Sequence, residues 1–471
     1  MAALIFLTIL PLLLLSQSLV TWLSVVLALV VTLYFFIILR TARRNSHIRA
    51  PPLFVFILFI LPFIFAFVFW VEAYELTRSI SVSVMALGLI FTFWTNFFAV
   101  PLAIYHKRLE RMEPPLRDSP LVSIIVPAFN EERVIARSIE SLVETDYPNK
   151  EIIVVDDGST DNTFAIASSY GRLGVKVYRK ENGGKHSALN YGIRLSSGEI
   201  IVTVDADSII ARGAVRALVR KFQDDAVNAV CGNIKVLNRV NWVTRCQALE
   251  YVAGINIFRR AFDLFGAVAV VPGALGAYRR SVLEEGGFYD PDTIVEDFDT
   301  TIKTLKSGKI VQASSDAIAY TEAPVSLGDL YRQRMRWYRG NFQTIRKHRD
   351  AFLNSRYGFL YQLTLPFVLL TMAVLPFAGV AVWISAALSI LSGYAAHVLL
   401  MLSIFLALQF LLSLLAIEID GEDRRLAFYS PFFVVGYKHL IDFFLIKALF
   451  DVLIKKEFSW TRVRRIGEAA E

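Results

Sequence analysis

The chain has 471 residues, of which 55% are hydrophobic and 19% charged, and its mean hydropathy is +0.50. Soluble domains carry about 25% charged residues, so the composition excludes a disordered chain and an ordinary cytosolic enzyme. The net charge of +7 reads as loops facing anionic lipid, not as a nucleic-acid surface. Two cysteines, Cys231 and Cys246, are too few for a disulfide framework or a Cys-rich metal site.

Apolar runs come first, at 2–39, 53–71 and 82–105. A membrane span needs roughly 20 apolar residues, so block 1–105 predicts three or four transmembrane helices, the first run breaking near Ser16-Gln17-Ser18. That run lacks a basic leader and a small-residue cleavage site, which argues against a removed signal peptide. Arg40, Arg43, Arg44 and Arg49 fill one loop, and Lys107, Arg108 and Arg111 follow the last run. The intervening loop holds Glu72, Glu75 and Arg78. The positive-inside rule puts the two basic segments, and the block that follows, in the cytosol.

Residues 106–323 read as a folded α/β domain with a mostly parallel sheet. Val122–Val126, Ile152–Val155, Ile200–Val204 and Ala267–Val271 are apolar, β-branched strand candidates. Helical patterns at 132–144 and 211–222 lie between them. An interface helix is expected at about 240–262, with Trp242, Leu249, Val252, Phe258 and Arg259-Arg260, and another within 324–356. Residues 357–454 are apolar again, as 357–391, 394–417 and 427–454, and a basic tail fills 455–471. If 357–417 holds two spans, 427–454 is interfacial or re-entrant; if it holds three, 427–454 is a span. The fold class expected is α/β plus all-α membrane, the cytosolic domain inserted between N-terminal and C-terminal transmembrane helices.

Chemistry-bearing residues cluster in the middle block. Asp156-Asp157 ends a strand, where open α/β sheets bind ligands, although Asp-Gly-Ser is also ordinary turn chemistry. Asp205-Ala206-Asp207 follows another strand and offers hard oxygen ligands for Mg²⁺ or Mn²⁺. Gly183-Gly184-Lys185 opens a helical pattern and can hold an anion. Glu296-Asp297 offers adjacent carboxylates, one of which can act as a base. In the run Arg332 to Arg339, residues Gln333, Arg336 and Trp337 fall on one helix face. Arginine there can clamp a diphosphate.

As an ordered set these motifs resemble the membrane-integrated family 2 glycosyltransferases, the group of cellulose, chitin, hyaluronan and poly-N-acetylglucosamine synthases. The matching pieces are Val126 to Glu131, Asp156 to Ser159, Gly184-Lys185 with Ala188-Leu189-Asn190, Asp205-Ala206-Asp207, Glu296-Asp297 and Gln333 to Trp337. The Gly-Gly-Lys to Ala-Leu-Asn run looks most like poly-β-1,6-N-acetylglucosamine synthases. The resemblance implies a GT-A-type domain and an inverting β-transfer from a UDP-sugar, with UDP-GlcNAc the preferred guess. It implies donor contacts from Ala128, Glu131, Asp156, Asp157, Lys185, Asp205, Gln333 and Arg336, and a divalent metal on Asp207. Asp297, beside Glu296, would be the general base, and Trp337 would stack on the acceptor. It further implies a multi-pass cell-membrane protein with a cytoplasmic catalytic domain. A growing glycan or a lipid would accept the sugar, an accessory subunit is compatible, and nucleic acid is not a partner.

Two rivals share these motifs. One is a non-processive enzyme that adds a sugar to a lipid, like ceramide glucosyltransferases. The other is a hyaluronan-like synthase using two donors. The i,i+4 pairs Lys438–Asp442 and Lys447–Asp451 read either as a channel lining for the glycan or as paired charge on an interfacial helix.

Overall fold

The computed structural model describes residues 79–352 and 354–456. The runs 2–39 and 53–71, the basic loop 40–50 and the tail beyond Lys456 lie outside the described residues. The third run, 82–105, belongs to helix α1 (Ile80–Arg111), which Ser79 caps at its start and Arg108 and Arg111 complement at its end.

Eight strands follow, β1 (Val122–Ala128), β2 (Lys150–Asp156), β3 (Val175–Arg179), β4 (Ile200–Thr203), β5 (Ser208–Ile210), β6 (Val227–Val236), β7 (Gly276–Arg279) and β8 (Ile310–Thr321). They form one sheet in the order β3-β2-β1-β4-β7-β6-β8-β5. β3, β2, β1 and β4 run parallel, as do β6 and β8. β7 is antiparallel to both its neighbours, and β5 to β8. The sheet is therefore mostly parallel, and its first half matches the strands expected at 122–126, 152–155 and 200–204.

The expected strand at Ala267–Val271 does not form. Only Ala267 makes a bridge, to Val311, while Ala267, Val268 and Val271 are buried by packing. An apolar run records burial, not extended pairing. The slot beside β4 is taken instead by β7, a short strand that begins at Gly276.

Helices cover the sheet: α2 (Ile135–Val143), α3 (Thr163–Ser169), α4 (Lys185–Leu195), α5 (Ala214–Lys221), α6 (Trp242–Leu249), α7 (Ile257–Asp263), α8 (Arg280–Glu285), α9 (Glu296–Lys306) and α10 (Leu327–Lys347). α6 continues into α7 through a π-wound stretch, Glu250–Asn256. This composite helix is where an interface helix was expected, yet Cys246, Leu249, Val252, Ile257 and Ala261 are buried.

Two further helices, α11 (Leu360–Leu391) and α12 (Ala395–Asp420), are long and apolar enough to cross a membrane. Stretch 357–417 thus holds two such helices. α11 is π-wound at Leu360–Thr364 and Leu370–Val374, each time just before a proline, Pro366 and Pro376. Proline lacks a donor and crowds the preceding turn, and the wider turn accommodates it. Helix α13 (Lys438–Leu453) follows a break at Val435-Gly436.

Charged contacts fasten the apolar helices to the α/β domain. At the end of α1, the fully buried His106 lies 2.9 Å from Asp263, and Glu110 lies 3.2 Å from Lys221. At the end of α12, Asp420 pairs with Arg260 and accepts a hydrogen bond from Asn233 Nδ2 at 3.0 Å. Charges removed from water need such partners.

Candidate active site

The parallel strands set the floor of the site. Register pairs Ala128 with Asp156, so the carboxyl ends of β1 and β2 lie level, and β4 leads to Asp205 on the other side of β1. Consecutive strand-end residues point to opposite faces, and here they separate the two aspartates. The Asp157 carboxylate accepts backbone hydrogen bonds from Gly183 at 3.1 Å and Gly184 at 2.8 Å. Lys180 donates to the same carboxylate at 2.6 Å. Gly184 has φ of 88°, a backbone conformation that favours glycine and delivers the chain into α4. Asp156 faces away. It is fully buried, accepts from Ser159 N at 3.3 Å and lies 3.2 Å from Arg179 Nε. Unlike the other expected donor contacts, it does not line the cavity described below.

Lys185, the first residue of α4, joins the two carboxylate motifs. Its Nζ is 2.6 Å from Asp205 Oδ1 and 3.0 Å from Glu296 Oε1. Burial opposes the ammonium, but Asp205, Glu296 and Asp297 outweigh it and hold its pKa above the ordinary lysine value. Glu296 and Asp297 open α9, where carboxylates face the positive end of the helix dipole. Asp297 accepts from Phe298 N at 2.8 Å and Gly273 N at 3.4 Å. Burial, reinforced by Glu296, pushes the Asp297 carboxyl up to about 6, with Lys185 opposing the rise.

α10 closes the site. Gln333, Arg336 and Trp337 share one face of this helix and line one cavity of about 970 Å³ with Ala128, Glu131, Asp157, Lys185, Asp205, Asp207, Glu296 and Asp297. The structure therefore brings together every site residue expected from the sequence except Asp156. The cavity also runs on between α12 and α13, past Phe405, Gln409, Lys438 and Asp442. Its volume is that of a typical ligand pocket.

Among the lining residues without a sequence signal are Glu250, Arg334 and Tyr437. Arg334 sits inside the basic run of α10, where no local pattern sets it apart from the other arginines. Only the fold shows it buried, with its Nη2 donating to Glu250 at 2.6 Å.

The charged pairs on α13 form as spaced, Lys438–Asp442 at 2.9 Å and Lys447–Asp451 at 3.2 Å. Lys438 and Asp442 line the cavity. Asp451 instead pairs with Arg339 and braces α13 against α10.

A metal on Asp207 has oxygen chemistry on its side: Asp207 is mostly buried and lines the cavity beside Asp205. Among the described residues a different carboxylate triple, Asp290, Asp292 and Asp299, has metal-like spacing. There Lys347 Nζ lies 2.6, 2.8 and 3.0 Å from the three carboxylates, so an ammonium already occupies the centre of that cluster.

Comparisons with known proteins agree with this arrangement. Residues 123–287 match the family model for glycosyl transferase family 2; the match ends before α9 and α10. Poly-beta-1,6-N-acetyl-D-glucosamine synthase of Staphylococcus epidermidis is 30% identical over 227 residues, 48% of this chain and 55% of the relative. The same-named protein of Staphylococcus aureus is 29% identical over the same shares. The chain spans about half the length of the curated relatives it matches. Among solved structures, a mannosyltransferase of Pyrobaculum calidifontis in complex with GDP-Man and Mn²⁺ matches with TM-score 0.55 and 23% identity, over 79% of this chain and 100% of the other. At that identity the likeness is one of fold. Residues 123–287 thus match glycosyl transferase family 2, and over about half of its length the chain is similar to poly-beta-1,6-N-acetyl-D-glucosamine synthases.

Proposed function

We propose that the protein is a membrane-bound polysaccharide synthase: an inverting β-glycosyltransferase that extends a glycan from a UDP-sugar, with UDP-GlcNAc as donor, and passes it across the membrane. The observation that carries this reading is the single cavity that holds the nucleotide-side carboxylates and continues between α12 and α13. A site for one soluble acceptor has no need of that continuation. The relatives' name supports GlcNAc as the sugar. The fold neighbour was captured with a nucleotide sugar and Mn²⁺, which supports a nucleotide-diphosphate donor and a divalent metal.

In this reading the uridine end lies over Ala128, Glu131 and Asp157, and Asp205 and Lys185 hold the nucleotide. Asp207 would hold Mg²⁺ or Mn²⁺, which when bound screens the diphosphate charge. Gln333 and Arg336 approach the same diphosphate from α10, and charge-assisted bonds there favour its departure. Asp297 takes the proton from the acceptor hydroxyl as that oxygen bonds to C1 of the sugar, while the bond from C1 to the UDP oxygen breaks on the opposite face. A carboxylate whose pKa is pushed up to about 6 accepts a proton better than an ordinary aspartate and is still mostly ionised at neutral pH. Trp337 presents an indole to the acceptor sugar.

The chain as a whole would be a multi-pass protein of the cell membrane with the 106–323 domain, the 324–356 helix and the 455–471 tail in the cytoplasm. The apolar cavity wall of Phe405, Phe433 and Leu445 also favours a second reading, transfer of a single sugar to a lipid. A donor screen separates the two. Purified protein in nanodiscs would receive UDP-GlcNAc, UDP-Glc, UDP-GlcA or GDP-Man, singly and in pairs, with nucleotide release read beside product size. Polymer from UDP-GlcNAc alone supports the synthase. Polymer only from a donor pair supports a hyaluronan-like product. A monoglycosylated lipid with no polymer overturns the polymerising reading.

A further inference from the structure

We propose that Glu250 is a positioning residue that fixes the Trp337 indole in the cavity wall by way of Arg334. The inference rests on the reading of Trp337 as the acceptor platform. Arg334 is 2% exposed. Its Nη2 donates to Glu250 Oε2 at 2.6 Å, and the Tyr437 hydroxyl donates to the same oxygen at 2.6 Å. The Arg334 guanidinium carbon lies 4.5 Å from the centre of the Trp337 ring. One face of the indole is thus covered by a planar cation, and stacking by a sugar is confined to the other. All four side chains line the cavity.

These residues come from three separate elements, and two of the elements are irregular at the point of contact. Glu250 begins the π-wound stretch between α6 and α7. Tyr437 ends the segment in which Val435 and Gly436 leave helical geometry before α13. Such irregularities aim side chains that a regular helix would point elsewhere. The charge balance gives the contact its force. A buried guanidinium needs a carboxylate partner, and cation–π attraction is strongest where water is excluded. Glu250 therefore holds Arg334 in the geometry that also stacks on Trp337, and Tyr437 ties that carboxylate to the base of α13.

The test uses the full chain in nanodiscs with UDP-GlcNAc as donor and a β-1,6-linked N-acetylglucosamine tetramer as the varied acceptor. Trp337→Ala is the reference variant. Glu250→Gln keeps the shape of the side chain and removes its charge, and Tyr437→Phe removes only the second hydrogen bond. Glu250→Gln is expected to raise the acceptor KM about tenfold, with Tyr437→Phe giving a smaller rise of the same sign. UDP affinity and donor KM should stay within about twofold of wild type in both. A second readout needs no turnover. The Trp337 emission, taken as the difference from Trp337→Phe, should become more accessible to acrylamide in Glu250→Gln.

A Trp337→Ala variant with impaired acceptor use, beside Glu250→Gln and Tyr437→Phe with wild-type acceptor KM and unchanged quenching, overturns the positioning role. Unchanged acceptor KM in Trp337→Ala overturns the platform reading, and the quenching data then decide by themselves whether Glu250 holds the ring. If Glu250→Gln fails to fold, Tyr437→Phe carries both measurements, since it leaves no charge unpaired.

Discussion

Gly340 of α10 packs so closely on Val295 that a Cβ built at Gly340 would lie 2.7 Å from both Val295 methyl carbons. Val295 immediately precedes Glu296 and Asp297. This contact sets the distance between the helix that carries Gln333, Arg336 and Trp337 and the start of α9.

Gly340→Ala should therefore push α10 away from α9. The expected cost is about 1–3 kcal/mol of stability, with transfer falling more than UDP binding. Thermal unfolding and UDP-release assays would measure both. Adding Val295→Ala removes the two methyl groups and should restore much of the loss. A Gly340→Ala variant with wild-type stability and turnover would show that the gap is not tight.

Asp297→Asn should abolish transfer and leave UDP binding close to wild type, as judged by titration calorimetry. In the unmodified protein, transfer should fall as pH drops through about 6, because that is where the raised Asp297 pKa puts loss of the base. The sign follows from the role: the deprotonated form works, so activity survives above this pKa and fades below it. The apparent value belongs to the Glu296, Asp297 and Lys185 group together. Lys185 lowers the Asp297 pKa, so Lys185→Met should move the acid limb of the pH–rate profile to higher pH. A limb that stays in place in that variant would remove Lys185 from the group.

Asp207→Asn should weaken UDP binding in Mn²⁺ and leave the affinity in EDTA unchanged. The loss expected is about tenfold or more for a cation ligand at a diphosphate. Equal affinities in Mn²⁺ and EDTA for the wild-type protein would refute the metal assignment.

Lys347 bridges Asp290, Asp292 and Asp299. Lys347→Met should remove the shared cation and leave Lys303 on Asp290 and His348 beside Asp299, so the destabilisation should fall below the roughly 3–5 kcal/mol of a fully broken buried ion pair. Ca²⁺ or Mn²⁺ should recover part of the loss in this variant and do little for this cluster in the wild-type chain. Melting curves with and without the cation measure the difference.

Several elements were legible in the chain because their cause is local. β1, β2 and β4 are compact β-branched runs between turn residues, and the fold places all three where they were expected. β6 was hidden. It is ten residues long and buried throughout, yet Asn228, Gly232, Asn233 and Lys235 interrupt its apolar pattern. Asn233 hydrogen-bonds Asp420 and Lys235 pairs with Glu422, at the far end of α12. No local pattern announces a polar strand residue whose partner lies nearly two hundred positions away.

The candidate site divides along the same line. Asp157, Lys185, Asp205, Asp207, Glu296, Asp297, Gln333, Arg336 and Trp337 were readable as motifs, because strand ends, helix starts and helix faces follow from short-range spacing. Placing Asp156 outside the cavity lining required the pleat of β2, which turns it toward Arg179. The contact of Glu250 with Arg334 and Tyr437 required three elements to meet. By itself the sequence determined which groups are available for chemistry and the local geometry each one starts from. Only the tertiary structure decided which of them face one another across the cavity, because burial and charge pairing are set by residues distant in the chain.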